Sequence, residues 1–446
     1  MARSSTLTEG NIYKKIIFFA LPLILGNIFQ QLYSSVDAAI VGNCVDASAL
    51  AAVGAGTALV DMLLGFSVGI SAGAGVLISR YYGMQDREKV KISCATSIII
   101  GAFIGVVLTI FGTIFIKDIY ILMKTPEDIL DAAIIYMKIY FAGILFVVLY
   151  NMATAILSAA GNSKWSLIFL VISSVINIIL DFLFVVLFKM GVPGAAIATV
   201  ISQAIACFLI FVYLSKVDDI YRIKPRDIKL DLDVLKQVTL TSLPTGIQNT
   251  VKAFSNVLIQ ASVNIFGASA MAGYISFMKI DGFNWLPVMS LSLAASTFTS
   301  QNLGAGKNDR VKKGVMATVI ICIAYTTITA IIACCLPNQL LSIFTKDRDV
   351  IDYGRICLYM FMPFYGLLGV FQILLGAIRG YGNTFASLIL NTAAMCIFRI
   401  AYISIINAIN FSFVTVILIY PLSWVVGIVI TIIYYKIKYA GGNYLL

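Results

Sequence analysis

The sequence predicts an all-α polytopic membrane protein with twelve transmembrane helices in two six-helix bundles related by a pseudo-two-fold axis along the membrane normal. Composition comes first. Of 446 residues, 60% are apolar and 12% are charged, about half the charged share of an ordinary soluble domain. Next come the charge-free windows at 92–116, 139–163, 190–215, 282–306, 314–345 and 400–435, each longer than the roughly 20 residues that cross a hydrocarbon core. Last is an internal repeat. Gly161-Asn162-Ser163 with Ser166-Leu167 recurs 221 residues later as Gly382-Asn383-Thr384 with Ser387-Leu388, and Ala47-Ser48-Ala49 recurs as Ala268-Ser269-Ala270. Gly83 with Glu88-Lys89-Val90 returns at the same offset as Gly304 with Asp309-Arg310-Val311, and Leu21-Pro22 returns at 222 as Leu243-Pro244.

Splitting the apolar runs at charged residues and at Gly, Asn or Pro places the helices in order. In the first half they cover 15–41, 48–79, 92–116, 132–158, 165–188 and 193–215. The first follows Lys14-Lys15, and its opening run lacks the small-residue cleavage site of a signal peptide, so it reads as a retained helix. The charged segment 216–236 is the expected linker between an N-terminal bundle over 1–215 and a C-terminal bundle over 237–446. Helices there cover 237–265, 269–300, 311–336, 353–378, 385–408 and 412–435, the last two separated at Asn407 and Asn410.

Twelve spans put both termini on one side, and basic loops stay in the cytoplasm. With the termini inside, the cytoplasmic loops carry 21 Lys and Arg and the outer loops six: Lys117, Lys124, Lys189, Lys346, Arg348 and Arg355. The net charge of +10 is thereby accounted for without a nucleic-acid partner. The chain has no His and its eight Cys show no C-x-x-C spacing. That excludes His-based zinc sites and imidazole-assisted nucleophiles, so an enzyme is not expected, nor is any cofactor. The Cys fall mostly in apolar segments, where they act as small hydrophobes.

Charge inside the spans is uneven. The N-terminal half holds Asp37, Asp61 and Asp181, and the C-terminal half Lys252, Lys279 and Arg399 against Asp281, formal sums of −3 and +2. Intramembrane ionisable groups are costly and mark function or a partner, so a cation site belongs to the first half. On helix 1, Asn27, Gln30, Ser34 and Asp37 fall within roughly 80° of arc, with Tyr33 at the border. On helix 5, Asn177 and Asp181 are four apart with Ser173 one turn earlier, and helix 6 adds Thr199, Ser202 and Gln203. Two carboxylates, an amide oxygen and a hydroxyl suit a hard-oxygen cage for Na⁺ or a pair that shares protons. The competing reading is interhelical hydrogen bonding, which Ser, Thr and Asn often supply. Asp61 stands midway between function and ordinary solvation. Lys279 and Asp281 are two apart and face different sides, so Asp281 is expected to form a structural ion pair with Lys252.

Four segments resemble the multidrug and toxic compound extrusion (MATE) family of transporters: LPLILGNIFQQLYSSVDAAIVG, SAAGNSKWSL, NIILDF and FTSQNLGAGKNDRVKKG. The resemblance covers nearly the whole chain and is nearest to the bacterial branch whose ion site lies in the N-terminal half. It implies cation coupling at Asp37, Asn177, Asp181 and Thr199, and pocket positions at Gln30, Tyr33 and Asn151. Helical position adds Asn27, Tyr140, Met278 and Trp285 as substrate-binding candidates. The implied activity is a secondary antiporter, monomeric in a bacterial inner membrane, expelling cationic or amphiphilic small molecules against inward Na⁺ or H⁺. The alternative is a lipid-linked oligosaccharide flippase of the same superfamily, whose phosphates call for a basic cavity. An intramembrane enzyme is the remaining class, and the adjacent acid pair it would use, Asp218-Asp219, lies in a loop.

Overall fold

The computed structural model describes residues 6–44, 47–123, 125–224, 231–409 and 411–439, apart from the side chains of 32–35, 37–39, 41–44, 47–50, 58, 407 and 408. The described residues contain helices and no strand. In the first half these are α1 (Ile12–Cys44), α2 (Ala47–Gly83), α3 (Arg87–Leu122), α4 (Glu127–Ala159), α5 (Ser163–Asp181) and α6 (Gly191–Lys216). The second half has α7 (Leu232–Asn264), α8 (Ala268–Gly304), α9 (Asn308–Cys335), the short α10 (Pro337–Ser342), α11 (Arg348–Phe361) and α12 (Tyr365–Gly380). It closes with α13 (Thr384–Thr392), α14 (Phe398–Ile409), α15 (Phe413–Ile417) and α16 (Ile419–Tyr439). Three pairs, α11 with α12, α13 with α14 and α15 with α16, continue one another and give the expected twelve spans among the described residues. Ten of these are long and apolar enough to cross a membrane, and the chain is a multi-pass membrane protein. The other two, α7 and α8, fall short because Thr, Ser, Gln and Asn recur along them.

The repeat is visible in the element boundaries. Both α2 and α8 have 37 residues and start 221 apart, and α4 matches Arg348–Gly380 at the same offset. Helix ends reach past the apolar windows. The chain turns into α3 at Asp86, whose carboxylate accepts the Lys89 backbone N–H at 3.1 Å and so satisfies one of the orphan donors of the first turn. Glu127 and Asp128 complement the positive end of α4. In each half the fifth span contains a π turn, Phe182–Leu187 and Ala393–Ile397. The wider turn admits one extra residue and rotates everything after it by about 100°.

Two compact units share the chain. One is Leu21–Gly246, and the other joins Leu7–Ala20 to the chain from Ile247 onward. Thus α1 passes from the second unit to the first between Ala20 and Leu21, beside Pro22, and α7 passes back between Gly246 and Ile247, close after Pro244.

Within the first unit α4 is central, touching α2, α3 and α6. Small residues set the closest approach: a Cβ on Gly73 would lie 2.3 Å from the Thr241 carbonyl oxygen, and one on Gly69 2.5 Å from that of Thr245. The linker folds onto this unit, with Tyr82 donating to Asp219 and Asn162 to the Tyr221 hydroxyl. Burial there pushes the Tyr221 hydroxyl well above the ordinary phenol range, so it stays protonated.

Within the second unit α12 is central, against α8, α9 and α16. Gly376 and Gly380 play the same part: a Cβ would lie 2.3 Å from the Ser292 carbonyl and 2.5 Å from that of Ser296. Aromatic edges lock the core, Phe361 lying 5.5 Å from Trp424 and 4.5 Å from Phe277. The segment before α1 is strapped to this unit. Leu7 N donates to Gln301 Oε1 at 3.0 Å and Lys307 Nζ to the Thr8 carbonyl at 3.0 Å.

Candidate functional site

The acidic candidates of the first unit sit on α5. Asn177 and Asp181 are 1% and 0% exposed, so a carboxylate that apolar windows could not absorb lies wholly inside a membrane-spanning bundle. They share a face because they are four residues apart. The helix is anchored one turn earlier, where Ser173 Oγ donates to the Ser202 carbonyl of α6 at 3.0 Å. The two helices are joined by a short connection and run antiparallel. One turn beyond Ser173 on α5 therefore meets one turn before Ser202 on α6, which brings Asn177 level with Thr199.

Thr199 is half-buried, and its hydroxyl donates to the Ala195 carbonyl at 3.0 Å, leaving its lone pairs available. The Asn177 amide has no hydrogen-bond partner among the described residues, an uncommon state for a fully buried side chain. Immediately after Asp181 the α-helix gives way to the π turn, a distortion frequent at functional positions. Asp37, Tyr33 and Ser34 have described backbone on α1, but their side chains lie outside the described residues. Asn27 and Gln30 on the same helix are half-buried.

With α1 aligned on α7 by the Leu-Pro pair (offset 222) and the later helices at 221, the positions matching Asp37, Asn177, Asp181 and Thr199 are Ile259, Phe398, Tyr402 and Tyr420. The second unit therefore lacks an equivalent of this constellation, and a hard-oxygen cation site can be assembled from the first repeat alone.

The remaining candidates are spread over both units. In the first, Asn151 Nδ2 donates to Ser67 Oγ at 3.2 Å, tying α4 to α2. Tyr140 is 6% exposed within the apolar core and stacks on Tyr136, and Asp61 is exposed on α2. In the second unit Met278 and Trp285 are half-buried on α8. The ammonium of Lys252 rests 3.0 Å from the centre of the Trp285 ring. Asp281 lies toward the Tyr365 hydroxyl, and its charge and that of Lys252 act on each other at longer range.

Three buried residues of the second unit escape a reading by composition. Arg379 is a buried member of α12, where the apolar window ends at 378; its Nη2 donates to Ser292 Oγ at 2.9 Å and its Nη1 to Ser387 Oγ at 3.3 Å. Gln248 accepts from that same Ser387 hydroxyl at 3.1 Å. Tyr365 is 1% exposed with its hydroxyl turned to Asp281. An amide or a phenol in an apolar helix gives no sequence signal of its own, although the tie between Arg379 and the repeated Gly-Asn-Thr turn was discoverable as a charge next to a repeat motif.

The MatE family model matches residues 22–183 and 244–405, one copy in each half. Among relatives, the probable multidrug resistance protein YoeA of Bacillus subtilis is 29% identical over 386 residues, 84% of this chain and 83% of that protein. The multidrug export protein MepA of Staphylococcus aureus is 24% identical over 376 residues, 84% of this chain and 83% of its own length. A solved outward-facing multidrug resistance MATE family transporter of the MOP superfamily superposes with a TM-score of 0.93 at 20% identity, covering 99% of both chains, a likeness of fold.

Proposed function

From the premise that this chain belongs to the MatE family, a transporter family whose model it matches in both halves, we propose that it is a multidrug efflux antiporter. It exports cationic or amphiphilic small molecules in exchange for inward Na⁺ or H⁺, as a monomer in a bacterial inner membrane with both termini cytoplasmic. The observation that carries the exchange is the complete burial of Asp181 beside the partnerless Asn177 amide. An ionised carboxylate enclosed in a membrane-spanning bundle costs several kcal/mol. Binding a proton or a Na⁺ removes that cost, so occupancy of the site and the conformation of its helices are linked.

The proposed cycle uses Asp37 and Asp181 as the exchanging pair, with Asn177 and Thr199 supplying neutral oxygens. Cation entry neutralises the pair and shifts α1, and the drug, held in part by Asn27, Gln30, Tyr33, Tyr140, Asn151, Met278 and Trp285, is released. Opening to the other side frees the cation down its gradient. The names of the relatives, a multidrug resistance protein and a multidrug export protein, support the substrate class. The excess of basic loops on one side supports the orientation.

The test is efflux of a cationic dye from proteoliposomes with Na⁺ and pH gradients imposed separately. Either gradient alone driving accumulation supports the reading and names the ion. Dye movement indifferent to both gradients would refute it.

A further inference from the structure

The charged groups inside the second unit take no part in the cation coupling just described, and their chemistry has the opposite sign. Lys252 on α7 and Arg399 on α14 each rest on an aromatic face. Lys252 Nζ is 3.0 Å from the centre of the Trp285 ring, and Arg399 Cζ is 4.6 Å from that of Tyr420. Arg399 is 3% exposed, and neutral oxygens steer it: its Nε donates to Ser423 Oγ at 3.1 Å and its Nη1 to Asn256 Oδ1 at 3.3 Å. Asn256 follows Lys252 by four residues, so one face of α7 carries the lysine and the amide that holds the guanidinium. The two positive charges are near enough to repel each other. Among the described residues no carboxylate lies within the 4.0 Å salt-bridge distance of either.

Asp281 lies in the same cluster and brings its formal sum to one excess positive charge. Membrane interiors hold such an excess poorly, and aromatic faces offset it only in part. The carboxylate of the cluster, moreover, is turned to the Tyr365 hydroxyl rather than to either cation. Asn284 Oδ1 beside it is buried without a hydrogen-bond partner among the described residues. Access is available along α7, where Asn256 is exposed and Lys252 half-buried. The first repeat has no such cluster: with α7 aligned on α1 by the Leu-Pro pair and the later helices at 221, the positions of Lys252 and Arg399 are held by Gln30 and Ile178.

We propose that Lys252 and Arg399 form an anion subsite that receives the carboxylate of a zwitterionic amphiphile, with Trp285 beside it packing on the amphiphile's apolar body. A planar carboxylate suits the fork of a guanidinium and accepts from an ammonium at the same time. Its charge balances the excess that the cluster carries. The proposal rests on the efflux reading for the nature of the substrate and narrows it: drugs bearing both charges are preferred over their purely cationic esters.

A matched pair of xanthylium dyes tests this, one with a free benzoate and the other its ethyl ester, titrated by fluorescence polarisation into the purified full-length protein in phosphatidylcholine nanodiscs. No gradient is present, so a failure of coupling does not enter. The native protein is expected to bind the benzoate dye more tightly. Lys252→Gln and Arg399→Gln are each expected to lower the benzoate-to-ester affinity ratio about tenfold, the scale of one charged hydrogen bond. Arg399→Lys, which keeps the charge, guards against a loss of fold and is expected to retain most of the ratio, with melting temperatures measured alongside. A ratio unchanged in both Gln variants would overturn the proposal while leaving the efflux reading intact. Loss of the preference when phosphatidylglycerol replaces phosphatidylcholine would assign the site to a lipid headgroup and also overturn it. Absence of binding by either dye would sink both readings.

Discussion

Asp181 and Asn177 occupy the same helical face at the same depth of burial, yet only one of them can change its charge. That difference fixes what each substitution should do. Asp181→Asn keeps the volume and removes the charge, so gradient-driven efflux is expected to fall to background while the protein still inserts and binds dye; normal efflux at equal membrane levels would rule out a coupling role. Asp37→Asn is expected to do the same. Asn177→Ala removes one of the proposed neutral ligands and is expected to weaken the apparent affinity for the driving cation by about tenfold, the value of one buried hydrogen bond to a charged group. The double change Lys252→Gln with Asp281→Asn removes opposite charges together, and partial efflux of a purely cationic dye should survive it, checked in the same vesicles. Asp181 was legible in the sequence because a charge inside an apolar span is too costly to keep without a role or a partner. Tyr365, Gln248 and Asn284 were not, since a phenol or an amide on an apolar helix costs little if a neighbour satisfies it, and the neighbour is known only from the fold. Lys252 was legible as a charge, but its seat on Trp285, a residue expected to meet substrate, depends on how α7 packs on α8.

Helices in this chain are held at their closest points by glycines whose missing side chains leave no room for an addition. Gly376→Ala would force a Cβ to 2.3 Å from the Ser292 carbonyl, and backbone must move to relieve it. Destabilisation of about 1–3 kcal/mol is expected, read as a lower melting temperature of the purified protein. Gly282 lies in the interior of α8 with nothing within 4 Å of its added Cβ, so Gly282→Ala is expected to leave stability unchanged or raise it by about 0.5–1 kcal/mol through helix propensity. Equal losses at both sites would show that glycine here serves flexibility rather than close approach. Pro22 and Pro244 make a second pair, each next to the residue where its helix changes unit. Since only α1 goes on to an acidic residue, Pro22→Ala should reduce efflux more than Pro244→Ala at equal expression.

Hydropathy found these elements and misjudged their ends. The apolar window of the third span begins at 92, whereas Asp86 caps α3 before Arg87. Helices outlast the hydrocarbon, and caps rather than apolar composition terminate them. The π turns at Phe182–Leu187 and Ala393–Ile397 left no trace in periodicity, because one extra residue in a uniformly apolar span changes no window average. Those turns nevertheless decide which way Arg399 and the residues after Asp181 face.

At the scale of the whole chain, a repeat at 221 residues supplies two units of one plan, and divergence within the plan supplies opposite polarity. The repeat was legible because turn residues such as Gly161-Asn162 and Gly382-Asn383 tolerate few replacements where φ is positive, as it is at Gly161 (79°) and Gly382 (94°). The assignment of Leu7–Ala20 to the second unit was not legible, since nothing in a short polar arm names a partner 294 residues away. That arm has a consequence for biosynthesis. Leu7 leaves the ribosome long before Gln301 exists, and at about 5–20 residues per second the interval is roughly 15–60 s. During that time the start of the nascent chain has no docking place, so the first unit must hold its own helices without it. A cysteine pair placed at Leu7 and Gln301 should therefore crosslink only in chains elongated past the α8–α9 turn, and truncated nascent chains ending before Gly304 should leave the arm open to protease.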